Sequence, residues 1–125
     1  MPTPEEALNE LLEMSASVRQ AVLVRGEKEV LATTFAVKGS EEAMVRTARE
    51  MLSAARSESK KMGRTALSQL FVEVSSGCVF VVTGEKDTWL VATTGADPTV
   101  GLVLYDMSTA LKTAIEGEAE GEYSK

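Results

Sequence analysis

The order of apolar runs predicts a three-layer α+β domain, a five-stranded antiparallel sheet flanked by helices on both faces in the order α-β-β-α-β-β-β-α. Three observations carry this. Five short runs rich in β-branched residues are separated by turn formers, and three other segments repeat apolar residues at a helical period. Val79-Phe80-Val81-Val82 is apolar at every position, as a strand covered on both faces would be. A chain of 125 residues with 44% apolar content suits a single domain.

Each element has its own signal. Thr3, Pro4 and Glu6 form a capping-box start, and Ala7, Leu8, Leu11 and Leu12 continue a helix over about 4–15. Ala21-Val22-Leu23-Val24 and Val30 to Phe35 flank Arg25-Gly26-Glu27-Lys28, which reads as a hairpin. Ser40 is the expected cap of a second helix over 41–62, with Ala43, Met44, Ala48, Met51, Leu52, Ala55, Ser59 and Met62 on its apolar face and Gly63 closing it. Leu67 to Val74, Cys78 to Thr83 and Thr88 to Thr94, joined by short Gly-containing turns, predict an antiparallel meander. Asp97 and Pro98 are expected to open a third helix that keeps its period to about residue 115. Residues 116–125 carry four Glu and one Lys, a net −3, and are expected to form a frayed or disordered acidic tail beyond a 1–115 domain.

Composition narrows the chemistry. There is no histidine, which excludes Ser-His-Asp and Cys-His catalysis, zinc fingers and His-ligated metals. The net charge of −6 argues against nucleic acid as a partner, because phosphate binding needs a basic excess. The one cysteine, Cys78, precedes an apolar run and reads as a small buried hydrophobe. Neither G-x-x-x-x-G-K-S/T nor G-x-G-x-x-G occurs, and no oxygen-rich calcium loop is present. No cofactor, metal or catalytic residue is therefore expected. The acidic N-terminus lacks an apolar signal core, and no run approaches the ~20 apolar residues of a membrane span. The expected location is the cytoplasm.

The order of elements resembles the roadblock family, named after a dynein-associated light chain and related to the longin fold. Ala21-Val22-Leu23-Val24-Arg25-Gly26 through Val30-Leu31-Ala32 is similar to the family's first hairpin. Leu70-Phe71-Val72-Glu73-Val74 before Gly77 is similar to its third-to-fourth strand turn, and Gly101-Leu102-Val103-Leu104-Tyr105-Asp106-Met107 to the start of its last helix. The likeness spans about residues 4 to 115 and points to a prokaryotic member. It implies a non-enzymatic module that forms homodimers, in which the second helix and third strand meet their counterparts and continue one sheet. Met44, Met51, Ala55, Leu70, Phe71 and Val72 would then lie at the dimer interface. Prokaryotic members are often partners of small Ras-like GTPases in gliding motility and polarity, while eukaryotic relatives sit in dynein and lysosomal scaffolds. A structural subunit without a GTPase role is the alternative. A small-ligand sensor is a third reading, opposed by the densely aliphatic strands.

Two features of the second helix bear on partners. Arg46, Arg49, Arg56 and Lys60 share one stripe, and residues 46–64 hold six basic against two acidic side chains, a net +4 that leaves −10 elsewhere. The stripe reads either as a solvated face complementing the helix C-terminus or as a docking face for an acidic partner. Met44, Met51 and Met62 read either as core or as an adaptable association surface. Trp89, in a strand, is expected in the core.

Overall fold

The computed structural model describes residues 2–37, 39–64 and 66–123. The chain runs α1 (Pro4–Met14), β1 (Val18–Arg25), β2 (Glu29–Thr33), α2 (Glu42–Lys61), β3 (Gln69–Val74), β4 (Gly77–Thr83), β5 (Thr88–Thr94) and α3 (Val100–Tyr123), which is the predicted order. The strands form one sheet in the order β2-β1-β5-β4-β3, with every neighbouring pair antiparallel. The meander supplies β3-β4-β5, and the first hairpin joins it where β1 pairs with β5.

Alternation along the strands divides the interior into two cores. Ala21 and Leu23 of β1, Leu90 and Ala92 of β5, and Cys78, Phe80 and Val82 of β4 face α1 and α3. Val22 and Val24, Trp89 and Val91, and Val81 face the other way, where α2 contributes Val45, Ala48 and Leu52. Four consecutive residues of β1, Ala21 to Val24, are fully buried because both faces are covered. Cys78 and Trp89 are buried, as the sequence led us to expect. Val45 is the α2 core residue that the apolar stripe missed; Ala43 and Met62, both assigned to that stripe, are exposed.

The ends of the elements correct the sequence reading in three places. Thr3 caps α1 as predicted, its hydroxyl accepting the Glu6 N–H at 3.2 Å while Glu6 accepts the Thr3 N–H at 3.4 Å. Ser40 does not cap α2. Its hydroxyl donates to the Val37 carbonyl within a local turn, and the helix starts after Glu41, a buried carboxylate that accepts the Gly39 N–H at 3.1 Å. Asp97 and Pro98 likewise stop short of α3. Asp97 occupies the left-handed region at φ 55°, and the first helical bond runs from Val103 N–H to the Thr99 carbonyl at 3.0 Å.

The third difference is the length of α3, which runs on to Tyr123 rather than ending near 115. Gly117 lies against Pro2, and Glu118 pairs with Arg25 of β1, so the acidic extension is held by contacts distant in sequence. Ser124 and Lys125 of the expected tail lie outside the described residues. At the end of α2, Gly63 has φ 75°, with Gly63 N–H donating to Lys60 and Arg64 N–H to Ser59. This pairing is a Schellman motif. No helix among the described residues is long and apolar enough to cross a membrane.

A candidate partner-docking surface on α2 and β3

The basic stripe lies on the flank of α2 that faces the hairpin tips. Lys86 and Asp87, at φ 57° and 56°, form the two left-handed positions of a tight β4–β5 turn. Gly26 N–H donates to the Asp87 carbonyl at 2.8 Å, and Trp89 Nε1 donates to the Gly26 carbonyl at 2.8 Å, so the two hairpin tips are tied together. Between these tips and α2 lies an open cleft of about 550 Å³. Arg49, Ser53, Arg56 and Ser57 form its helical wall, and Glu27, Glu50 and Asp87 put carboxylates beside the arginines. Arg49 is half-buried and donates to the Glu27 carbonyl at 3.4 Å, while Arg46, Arg56 and Lys60 are exposed.

The positive charge concentrates at the C-terminal end of the helix. A second open cleft of about 330 Å³ is bounded by Arg56, Ser59, Lys60, Arg64, Ala66 and Leu67, with no carboxylate among them. The structure thus divides the predicted stripe. Arg49 lines the mixed-charge cleft, Arg56 borders both clefts, Lys60 joins Arg64 around the purely basic one, and Arg46 lines neither. Sequence spacing missed Arg64 because it lies beyond the helix; the signal was Gly63, whose left-handed turn brings the next residue back against α2.

Met44, Met51 and Ala55 occupy the opposite flank at helical spacings of seven and four. All three are half-buried. Met44 and Leu70 of β3 both pack against the core that α2 shares with the sheet. Leu70 and Val72 point to the α2 side and are also half-buried, since Leu70 pairs with Val81 and Val72 with Val79. Phe71 is the exception in the predicted interface set. It alternates to the other face of β3, where its ring lies 5.0 Å from that of Phe80.

The backbone of β3 has a definite polarity. Thr83 N–H donates to the Ser68 carbonyl at 3.0 Å, and Gly84 N–H donates to the Thr88 carbonyl at 2.9 Å. Both bonds set the same alternation along β4, with Val79, Val81 and Thr83 bonded toward β3. Leu70, Val72 and Val74 therefore bond inward to β4, and Gln69, Phe71 and Glu73 turn their N–H and C=O groups to the open edge. An apolar edge strand with an outward row of donors and acceptors is a template for a further strand.

No protein-family model and no curated protein matches the sequence. Solved structures do match the fold. A roadblock/LC7 domain from Streptomyces avermitilis superposes with a TM-score of 0.83 at 22% identity, covering 92% of this chain and 97% of that one. The gliding protein MglB from Thermus thermophilus gives 0.79 at 17% identity, over 96% of this chain and 94% of its own. An MglB with a tetrameric arrangement gives 0.80 at 17% identity, over 96% and 93%. The chain has the roadblock fold.

Proposed function

We propose that the protein is a homodimeric, non-enzymatic interaction module that regulates or scaffolds a small Ras-like GTPase. The observation that carries this reading is the open edge of β3, together with a half-buried flank of α2 whose Met44 packs on the same core as Leu70. Gln69, Phe71 and Glu73 turn backbone donors and acceptors outward, and Met44, Met51, Ala55, Leu70 and Val72 are only half-buried, which leaves apolar surface on α2 and β3. Antiparallel pairing of two β3 strands satisfies the edge and continues the sheet, while the two α2 helices cover each other's methionine flanks. The fold supports it too, since similar structures include a gliding protein and an MglB in a tetrameric arrangement.

On such a dimer both α2 helices lie on one face, and Arg46, Arg49, Arg56 and Lys60 are presented twice. The stripe steers an acidic GTPase surface into contact, a role for charge that sets encounter and register more than affinity. Arginines on a regular helix dock; none is marked as entering another protein's active site. The test has two stages. Light scattering coupled to size exclusion should give about twice the 13.4 kDa chain mass. Charge reversal of Arg46, Arg49, Arg56 and Lys60 to Glu should then weaken binding of Ras-like GTPases from the same organism, loaded with GTP or GDP, in a salt-sensitive way with the dimer intact. A clean monomer at micromolar concentration would sink the dimer. A dimer that binds no GTPase leaves the structural-subunit reading.

A further inference from the structure

The three residues of β3 that turn backbone groups to the open edge, Gln69, Phe71 and Glu73, also have exposed side chains, all on the face opposite α2. The row is not symmetric. An amide stands at one end and a carboxylate at the other, with an aromatic ring between them. Neither polar side chain has a hydrogen-bond or ion-pair partner among the described residues.

We propose that Gln69 and Glu73 are the residues by which the β3 edge selects a second copy of this chain, in one register, with Gln69 opposite the partner's Glu73. The proposal rests on the homodimer reading and adds what sets the register and the choice of partner. A two-fold axis allows few registers, since outward backbone groups must meet outward groups. With the axis at Phe71, three pairs face one another: Gln69 with the partner's Glu73, Phe71 with the partner's Phe71, and Glu73 with the partner's Gln69. Each exchanges two backbone hydrogen bonds, so the ladder holds six. An axis at Leu70 or Val72 leaves two facing pairs within β3 and four bonds, and one at Gln69 or Glu73 leaves one pair and two bonds. The α2 side discriminates little, because Leu70, Val72 and Val74 are all apolar. The other face separates the registers. An axis at Phe71 brings the two rings together and gives each carboxylate an amide donor, whereas an axis at Glu73 sets the two carboxylates against each other. A chain of the same fold with a carboxylate in place of Gln69 would present a like charge to Glu73 and be refused.

Dimer dissociation constants, from sedimentation over a dilution series, test the pairing. Gln69→Glu places two like-charged pairs in each dimer and should weaken it about tenfold. Gln69→Lys puts two ion pairs there instead and should tighten the dimer in a salt-sensitive way. Both substitutions are at an exposed side chain, so the monomer fold is spared. Asn9→Glu, on the exposed face of α1 and away from β3, makes the same change of net charge as Gln69→Glu and should dimerise as the wild type does. Single cysteines read the register directly. With the axis at Phe71 the two Cα atoms at that position stand ~5.5 Å apart, inside the ~4.4–6.8 Å that a disulfide spans. Mild oxidation of Phe71→Cys should therefore give a covalent dimer, while Leu70→Cys and Val72→Cys should not cross-link; the native Cys78 is buried. A wild-type dimer in which Leu70→Cys or Val72→Cys cross-links instead, or in which Gln69→Glu and Asn9→Glu act alike, overturns the pairing and leaves the homodimer reading standing. A monomeric wild type overturns both.

Discussion

Gly117 passes so close to Pro2 that a Cβ at the glycine would stand 1.9 Å from the Pro2 carbonyl oxygen. Glycine inside a helix is ordinarily a weakness, and its replacement by Ala gains about 0.5–1 kcal/mol. Here the sign should reverse. Gly117→Ala must push the N-terminal segment off α3, an overpacking cost of about 1–3 kcal/mol that outweighs the propensity gain. Gly101, in the same helix with nothing within 4 Å of its would-be Cβ, is the internal control. Gly101→Ala should leave the melting temperature unchanged or raise it, while Gly117→Ala lowers it by several degrees. Equal shifts would show that the Gly117–Pro2 contact is not held in solution.

The two serine and threonine cap signals make a second paired experiment. Thr3→Ala removes the acceptor of the Glu6 N–H and should cost about 0.5–2 kcal/mol. Ser40→Ala should cost much less, because the Ser40 hydroxyl bonds the Val37 carbonyl in an exposed turn and holds no N–H of α2. Thermal melts of the two variants check the ranking, and a Ser40 loss as large as that of Thr3 would contradict it.

These cases show where the sequence was legible. Period and turn chemistry gave the order of all eight elements, since alternation in β1, β4 and β5 is dictated by two cores on opposite faces. Boundaries were harder. Ser40 and Asp97 are good cap residues by type, yet each is used in a turn instead, and α3 outlasts its apolar period because Gly117 and Glu118 find partners far away in sequence. On α2, helical spacing puts Met44 and Met51 on one flank and Arg49 and Arg56 on the other, while Met62 falls beyond the helix and is exposed. Spacing could not reveal that Arg64 joins the basic cleft, nor that Phe71 turns away from Leu70 and Val72, because both depend on how the chain closes around α2 and β3.

Trp89 gives a third prediction. Its indole is buried and donates to the Gly26 carbonyl, while Gly26 N–H reaches Asp87, so one side chain couples the tips of both hairpins. Trp89→Phe keeps most of the apolar packing but deletes the donor, with an expected cost of about 1–3 kcal/mol. Trp89→Ala adds a cavity and should cost about 3–5 kcal/mol. Denaturant midpoints followed by circular dichroism test this order, and a Trp89→Phe variant as stable as the wild type would mean the bond contributes nothing net.

Proline scanning of β3 separates its two edges. Val72 bonds inward to β4, so Val72→Pro removes a ladder donor within the monomer and should destabilise the fold itself. Glu73 turns its N–H to the open edge, so Glu73→Pro leaves the β3–β4 ladder complete and deletes one donor of the proposed strand-to-strand pairing. Its side chain is exposed, so no core packing is lost with it. Size exclusion with light scattering and thermal melts distinguish the variants. Glu73→Pro should lower the apparent mass toward one chain while far-ultraviolet circular dichroism keeps its native shape. Val72→Pro should lose structure at any concentration. If Glu73→Pro remains a dimer of unchanged strength, the two chains do not associate through β3, and the methionine flank of α2 would have to hold them together alone.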